Sequence, residues 1–154
     1  MKPEGRPLLL AAACVSFFVA ILHIVIVAIG PSAYSFFGGE RLAEVALTGS
    51  YSPVIQTLSL ALVHSVFGVY GLSGAGVIRR RLPGLVIVLI AIGGMYAFRG
   101  LSAIDQALQI LRDPDSVPFR VLFYSLVSLA TGVAYILGTV KSWGWLRSER
   151  EMEA

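Results

Sequence analysis

The sequence has few charged residues and a single cysteine. Only 14% of its 154 residues are charged while 56% are hydrophobic, whereas about a quarter of the residues in ordinary soluble domains are charged. This composition excludes an ordinary soluble domain. The one cysteine, Cys14, lies in an apolar stretch. It cannot form an intrachain disulfide, so cysteine usage says nothing about the redox compartment.

Several sequence motifs of catalysis are also absent. The chain has no P-loop, no nucleophile elbow and no Cys/His spacing of a zinc site. No acidic residue lies in the middle of an apolar stretch. That absence argues against a proton-coupled small drug exporter, which has this length but typically relies on a carboxylate in its first helix. Together these absences narrow the field: no metal site is expected, and the question of enzyme activity stays open while leaning towards none.

Four long apolar stretches are present instead. Each is near the roughly 20 residues that an α-helix needs to cross about 30 Å of hydrocarbon. Because lipid cannot hydrogen-bond exposed backbone, and the stretches lack the alternation of barrel strands, helices are predicted. The predicted fold class is an all-α integral membrane protein, a single domain over residues 1–154 whose four transmembrane helices form two helical hairpins. The predicted spans are about 8–30, 53–77, 83–104 and 119–140.

Basic residues gather on one side of this predicted four-pass chain. The other side carries only Arg41, Arg112 and Arg120 besides the intramembrane Arg99. By the positive-inside rule, both termini are predicted to be cytoplasmic, in the cell (inner) membrane. The net charge of +3 is then a topology signal that suits anionic headgroups, and nucleic acid is not expected as a partner. The basic residues of the predicted cytoplasmic side are Lys2, Arg6, Arg79, Arg80, Arg81, Lys141, Arg147 and Arg150.

The third predicted helix has a recognisable boundary at each end. Arg79 to Pro83 is predicted to be a tight basic turn, with Pro83 in the first turn of the helix that follows. At the other end, Asp105 to Pro118 is expected to extend the helix by a turn or two.

The outer segment between the first two predicted helices, Pro31 to Ser52, is longer than most loops. Within it, Glu40 to Leu47 places Glu40 and Glu44 on one helical face and apolar residues elsewhere. This pattern predicts a short amphipathic outer helix that acts as a lid over the bundle. Aromatic residues around it are expected to anchor the segment at headgroup level. They are Tyr34, Phe36, Phe37 and Tyr51.

Small and polar residues recur at helical spacing along one face of each apolar stretch. Such faces let transmembrane helices approach closely and let hydroxyl groups bond across the interface. They are therefore predicted to face the interior of the bundle, mainly for packing. The predicted inward faces are Ala12, Ser16, Ala20, His23, Val27 and Gly30; Thr57, Ala61, His64, Gly68, Gly71 and Ala75; Gly93, Ala97 and Gly100; and Ser125, Ser128, Gly132, Tyr135 and Thr139.

Arg99 is the least expected residue of the predicted spans, since an arginine near the bilayer centre costs about 2.5 to 3.5 kcal/mol on insertion scales. Under one interpretation its side chain snorkels outward to lipid phosphate. Under the other it faces the interior at the level of His23, takes Glu40 or Glu44 as its counter-charge and binds an anionic or carbonyl group. Tyr96 and His23 would then be neighbouring hydrogen-bond donors.

His23 and His64 fall on the small-residue faces, so both are expected to face the interior. Each is either a core histidine with its hydrogen bonds satisfied or a group that bonds or exchanges protons with a quinone or a lipid headgroup. A pair of histidines also raises the possibility of haem, which needs two axial ligands at matched depth. His64 is predicted near the middle of its helix and His23 about a turn closer to the outside. That offset argues against haem.

The outer stretch Gly30 to Glu40, GPSAYSFFGGE, lies between two hydrophobic helices. In a chain of this size it resembles small uncharacterised bacterial four-helix membrane proteins that are loosely grouped as DoxX-like. The resemblance covers the four-helix layout and this stretch, and it assigns no functional residue. Because DoxX-like proteins are associated with quinone-linked oxidoreductase complexes, the resemblance implies an accessory subunit near the quinone pool.

The sequence therefore favours an accessory four-helix membrane protein whose outer half holds a lipid, a quinone or a similar small amphiphile in a polar cavity. Two alternatives stay open. One is a small transporter or channel that works as a homodimer, which the glycine-rich second helix would support. The other is a membrane redox enzyme with haem. The expected partners are the lipid bilayer and either a second copy of the chain or a larger membrane complex.

Overall fold

The computed structural model describes residues 3–78 and 81–148, and within these residues all regular structure is helical. The predicted all-α class is therefore confirmed. The helices in chain order are α1 (Arg6–Ile29), α2 (Pro31–Phe36), α3 (Glu40–Leu47), α4 (Ser52–Gly74), α5 (Leu85–Gly100), α6 (Ser102–Arg112), α7 (Phe119–Lys141) and α8 (Trp143–Ser148).

Among the described residues, four helical stretches are long and apolar enough to cross a membrane. They are α1, α4, α7 and the 28-residue stretch Leu85–Arg112, which contains α5 and α6. Leu101 joins α5 to α6 and keeps right-handed helical backbone angles (φ −61°, ψ −24°). The four predicted apolar helices are thus present, and the predicted extension of the third one beyond residue 104 is confirmed.

The start of α5 differs from the prediction. Pro83 is predicted in the first helical turn, but α5 begins at Leu85 and Gly84 is its N-cap. Gly84 has a φ of +63°, a left-handed conformation that glycine adopts without the penalty of a Cβ. This turn places Pro83 before the helix. Four residues of the predicted basic side, Lys2, Arg79, Arg80 and Arg150, lie outside the described residues.

The chain divides into two compact units. The first unit contains Met1–Val15 and Phe67–Ala154, and the second contains Ser16–Val66. The second unit has a small apolar core of Ile26, Ala33, Tyr34 and Ala43. The first unit has a larger one, formed by Leu9, Ala12, Ala75, Leu85, Leu89, Ile92, Tyr96, Tyr135 and Leu146.

Helices α5 and α7 of the first unit pack with their backbones almost in contact. A Cβ atom built on Gly132 would lie 2.5 Å from the backbone nitrogen of Ala97 and 2.7 Å from the carbonyl oxygen of Gly93. One built on Gly100 would lie 2.5 Å from the backbone nitrogen of Leu129. These two helices therefore approach through their small residues, as the sequence pattern predicts.

The burial expected of the predicted inward faces is confirmed. Every residue of those faces is buried or half-buried, and the whole predicted face of α7 is buried. Large apolar side chains cover the opposite faces and are exposed, including Phe18, Leu62, Ile87 and Phe98. A helix in water has polar residues on its outer face. Here the outer surface is apolar, which is the arrangement that suits contact with lipid.

Arg81 holds the short helix α8 against the segment before α5. Its Nη1 donates to the carbonyl oxygen of Leu146 at 2.7 Å, and its Nη2 donates to that of Trp145 at 2.9 Å. The guanidinium also lies 4.3 Å from the centroid of the Trp145 ring, a cation–π distance. Since these bonds satisfy carbonyl groups near the end of α8, Arg81 acts as a structural contact within the first unit.

Candidate functional site

His23 and His64 lie in contact in the second unit. Their ring centroids are 5.2 Å apart and the ring planes differ by 21°. His23 lies six residues before the end of α1 and His64 twelve residues after the start of α4. At 1.5 Å per residue, His23 lies roughly 9 Å from the end of α1, and His64 lies roughly 18 Å from the start of α4. The predicted offset in depth of about one turn, or 5.4 Å, is compatible with ring centroids 5.2 Å apart and stays a prediction.

The two histidines make the same local hydrogen bond. Nδ1 of His23 lies 2.7 Å from the carbonyl oxygen of Val19, and Nδ1 of His64 lies 2.8 Å from that of Leu60. A carbonyl oxygen can only accept, so Nδ1 is the protonated nitrogen in both rings. In a neutral imidazole the lone pair is then on Nε2. The two rings thus share one tautomer, with Nε2 as the hydrogen-bond acceptor.

The stacked geometry of the pair brings two imidazole rings side by side. Their planes are nearly parallel and their centroids are 5.2 Å apart. Imidazoles on opposite sides of an iron have centroids roughly 6 Å apart. The pair is thus slightly closer than two axial ligands, and the haem alternative stays a prediction.

Tyr34 lies in the core of the second unit, with only 3% of its surface exposed. The prediction that it anchors the segment at headgroup level is wrong, whereas Phe36 and Tyr51 are exposed as that role requires. The Tyr34 hydroxyl has no hydrogen-bond partner among the described residues. Ile26, in the same apolar cluster, lies three residues after His23 and so shares its helical face. Tyr34 and His23 thus belong to the same unit, and Tyr34 packs in the cluster that contains Ile26.

The predicted short helix Glu40 to Leu47 is confirmed as α3, with the same bounds. Glu40 and Glu44 are exposed, and Ala43 is buried against α2 in the small core. Helix α2 itself was not predicted from the sequence. Its signal is Pro31 at the first helical position after Gly30, whose φ of +87° turns the chain out of α1. The role of α3 as a lid stays a prediction.

Arg99 lies in the last turn of α5, in the first unit, and its side chain is exposed. Its Nη1 donates to Ser102 Oγ at 3.2 Å and to Ser125 Oγ at 3.3 Å. The two hydroxyl oxygens are 3.0 Å apart. Ser125 was predicted only on a packing face. Ser102 was not predicted at all, although its position three residues after Arg99 could have indicated it.

The structure distributes the remaining predicted site residues between the two units. Tyr96 lies in the core of the first unit, where its ring stacks on Tyr135 with 6.0 Å between centroids. Glu40 and Glu44 belong to the second unit, so their pairing with Arg99 stays a prediction. The structure thus brings together His23 with His64, and Arg99 with two serines.

The two groups of polar residues interact through hydrogen bonds and ring stacking. No cluster of three or more histidine, cysteine, aspartate or glutamate residues suited to a metal ion occurs among those residues. Imidazole acceptors, a buried phenol and a guanidinium are the groups that can recognise a ligand. A comparison of the chain with protein-family models, curated proteins and solved structures finds no match.

Proposed function

We propose that this chain is a multi-pass protein of the cell membrane that binds a small amphiphile of the quinone class and acts as an accessory protein, not as an enzyme. The observation that carries the proposal is the stacked pair His23 and His64, in matched tautomers, within helices that are long and apolar enough to span a membrane.

The membrane part of the proposal rests on the length and surface of the four apolar stretches. The large apolar side chains exposed along α1, α4, α5 and α7 would be costly in water and favourable against acyl chains. The four spans would form two hairpins, α1 with α4, and α5 and α6 with α7. The basic residues would then lie on the cytoplasmic side together with both termini.

Ionisable side chains within transmembrane spans are rare and usually mark a functional site. The Nε2 acceptors of His23 and His64 suit the hydroxyl groups of a quinol. The buried phenol of Tyr34 is a donor that suits a quinone carbonyl. An unpaired buried hydroxyl costs about 1 to 3 kcal/mol, and a bound carbonyl oxygen would remove that cost. A quinol head would donate its hydroxyls to the imidazoles, and a quinone head would accept from the phenol, so each redox form has a hydrogen-bond partner among these three residues.

Replacement of either histidine by leucine is expected to weaken binding of decylubiquinol roughly tenfold, since about 1.4 kcal/mol of hydrogen-bond energy is lost. His23→Gln and His64→Gln are the matched controls, because the glutamine amide oxygen can replace Nε2 as an acceptor. Binding would be measured by native mass spectrometry of the detergent-extracted protein, titrated with the quinol under reducing conditions. Equal affinity of the leucine variants and the unmodified protein would exclude the histidine site.

The same spectra count subunits and so address the alternative of a homodimeric transporter or channel, which stays a prediction. A dimer that retains no quinol would favour that alternative. A monomer or dimer that retains quinol through the histidines supports the proposed function.

The proposed topology predicts opposite results for two reporter fusions. Alkaline phosphatase fused after Ala154 should be inactive, because the cytoplasm does not support its folding. The same enzyme inserted at Gly49, between α3 and α4, should be active. Activity at Ala154 with none at Gly49 would reverse the assigned orientation. A green fluorescent protein fusion at the same two sites serves as the control, since its fluorescence should show the complementary pattern.

A further inference from the structure

The guanidinium of Arg99 presents a hydrogen-bonding edge that the first unit does not use. Nη1 has two N–H groups, and its acceptors are the hydroxyls of Ser102 and Ser125. Within the described residues of the first unit, Nε and Nη2 have no hydrogen-bond acceptor. These two nitrogens form the edge with which arginine binds phosphate or carboxylate through two parallel bonds.

We infer that Arg99 binds the phosphate of an anionic phospholipid in the outer leaflet through Nε and Nη2. This site rests on the proposed membrane topology but is independent of the histidine site. It differs from simple snorkelling, in which an arginine side chain reaches any headgroup in no fixed geometry. Here the two serine hydroxyls fix the orientation of the guanidinium, so the bidentate edge is held ready for one phosphate.

The position of Arg99 along its helix suits this role. It lies 14 residues after Leu85 in the stretch Leu85–Arg112, or about 21 Å along the helix axis. If the hydrocarbon begins near Leu85 and is about 30 Å thick, Arg99 lies roughly 9 Å below the outer boundary. Ser125 lies six residues after the start of α7, which is also about 9 Å. The arginine and its hydroxyl partner are thus at matching depth, within reach of a headgroup that is drawn slightly inward.

The surface around Arg99 suits the acyl chains of such a lipid. Met95, four residues earlier on the same helical face, is 58% exposed, and Phe98 is 81% exposed. Leu126, next to Ser125 on α7, is also exposed. A cation surrounded by exposed apolar side chains complements a lipid that has an anionic headgroup and apolar acyl chains. Inorganic phosphate would use the cation alone and gain nothing from the apolar surface.

The hydroxyl anchors explain why arginine, and not lysine, occupies this position. Ser125 is fully buried, whereas the Arg99 side chain is exposed, so the guanidinium bridges from the protein interior to the lipid side. Its planar shape lets one nitrogen bond the hydroxyls while the other two face a phosphate. A lysine ammonium is a single point charge and cannot divide its bonds in this way.

The test is native mass spectrometry of the detergent-extracted full chain with three probes: phosphatidylglycerol, phosphatidylcholine and inorganic phosphate. Phosphatidylglycerol should bind more tightly than phosphatidylcholine, and millimolar inorganic phosphate should not displace it. Arg99→Lys is expected to lower affinity for phosphatidylglycerol roughly tenfold. Arg112→Lys, at the exposed end of α6, is the matched control and should change nothing.

Three results would overturn the inference. They are equal binding of the two lipids, unchanged binding in Arg99→Lys, and displacement by inorganic phosphate, which would indicate a free-phosphate site. If Arg99→Lys fails to fold, Ser125→Ala keeps the test decisive. This variant retains the charge of Arg99 but removes the buried hydroxyl that Arg99 bonds. Its affinity for phosphatidylglycerol should fall about threefold to tenfold. His23→Leu should bind phosphatidylglycerol normally, so failure of the quinol site would not be mistaken for failure of this one.

Discussion

The Gly132→Ala variant is expected to lose about 1 to 3 kcal/mol of stability, the usual cost of overpacking a well-packed interface. The new Cβ would lie 2.5 Å from the backbone nitrogen of Ala97 and 2.7 Å from the carbonyl oxygen of Gly93. Both are backbone atoms, which cannot rotate away as a flexible side chain can. Helices α5 and α7 would therefore have to separate along their contact.

The control for this variant is Gly94→Ala, one residue further along α5 from Gly93. A Cβ at Gly94 has no neighbouring atom within 4 Å, and alanine is the better helix former by about 1 kcal/mol. Gly94→Ala should therefore match or exceed the unmodified protein in thermal unfolding in detergent, while Gly132→Ala unfolds at a lower temperature. Equal unfolding temperatures for the two variants would contradict the close contact of α5 and α7.

Truncation of Tyr135 is expected to destabilise the first unit even more than the change at Gly132. Its side chain is fully buried in the core of that unit. Its ring stacks on Tyr96, and its hydroxyl donates to the carbonyl oxygen of Phe67 at 2.9 Å. Tyr135→Ala should cost about 3 to 5 kcal/mol, as for other large aromatic residues in cores. The loss would be measured as a lower midpoint of thermal unfolding in detergent.

Two further variants separate the contributions of the ring and the hydroxyl. Tyr135→Phe keeps the ring and should lose only about 0.5 to 1.5 kcal/mol, the net value of one hydrogen bond. Tyr51→Ala, at a side chain that is 79% exposed, should leave the unfolding temperature nearly unchanged. Similar losses in Tyr135→Phe and Tyr135→Ala would show that the hydroxyl bond, and not the packing of the ring, stabilises this core.

The two histidines show where prediction from the sequence was sufficient and where it was not. Helical spacing correctly put His23 and His64 on the inward faces, since which residues share a face depends only on the 3.6-residue period. Their contact depends on the stagger between α1 and α4, which no local pattern encodes. The apolar stretches therefore predicted that both rings face inward, but not that the rings stack with centroids 5.2 Å apart.

The sequence by itself determined the four long apolar helices, their inward faces and the short helix α3, because chain length, composition and periodicity are local properties. The tertiary structure decided which polar groups meet. It turned Tyr34 inward, since α2 and α3 fold together over a shared core. It also placed the hydroxyls of Ser102 and Ser125 within hydrogen-bond distance of Arg99. Ser125 is within reach because glycines at the contact let α7 lie close to α5. Such contacts depend on the relative positions of helices that are distant in sequence, and local periodicity carries no information about those positions.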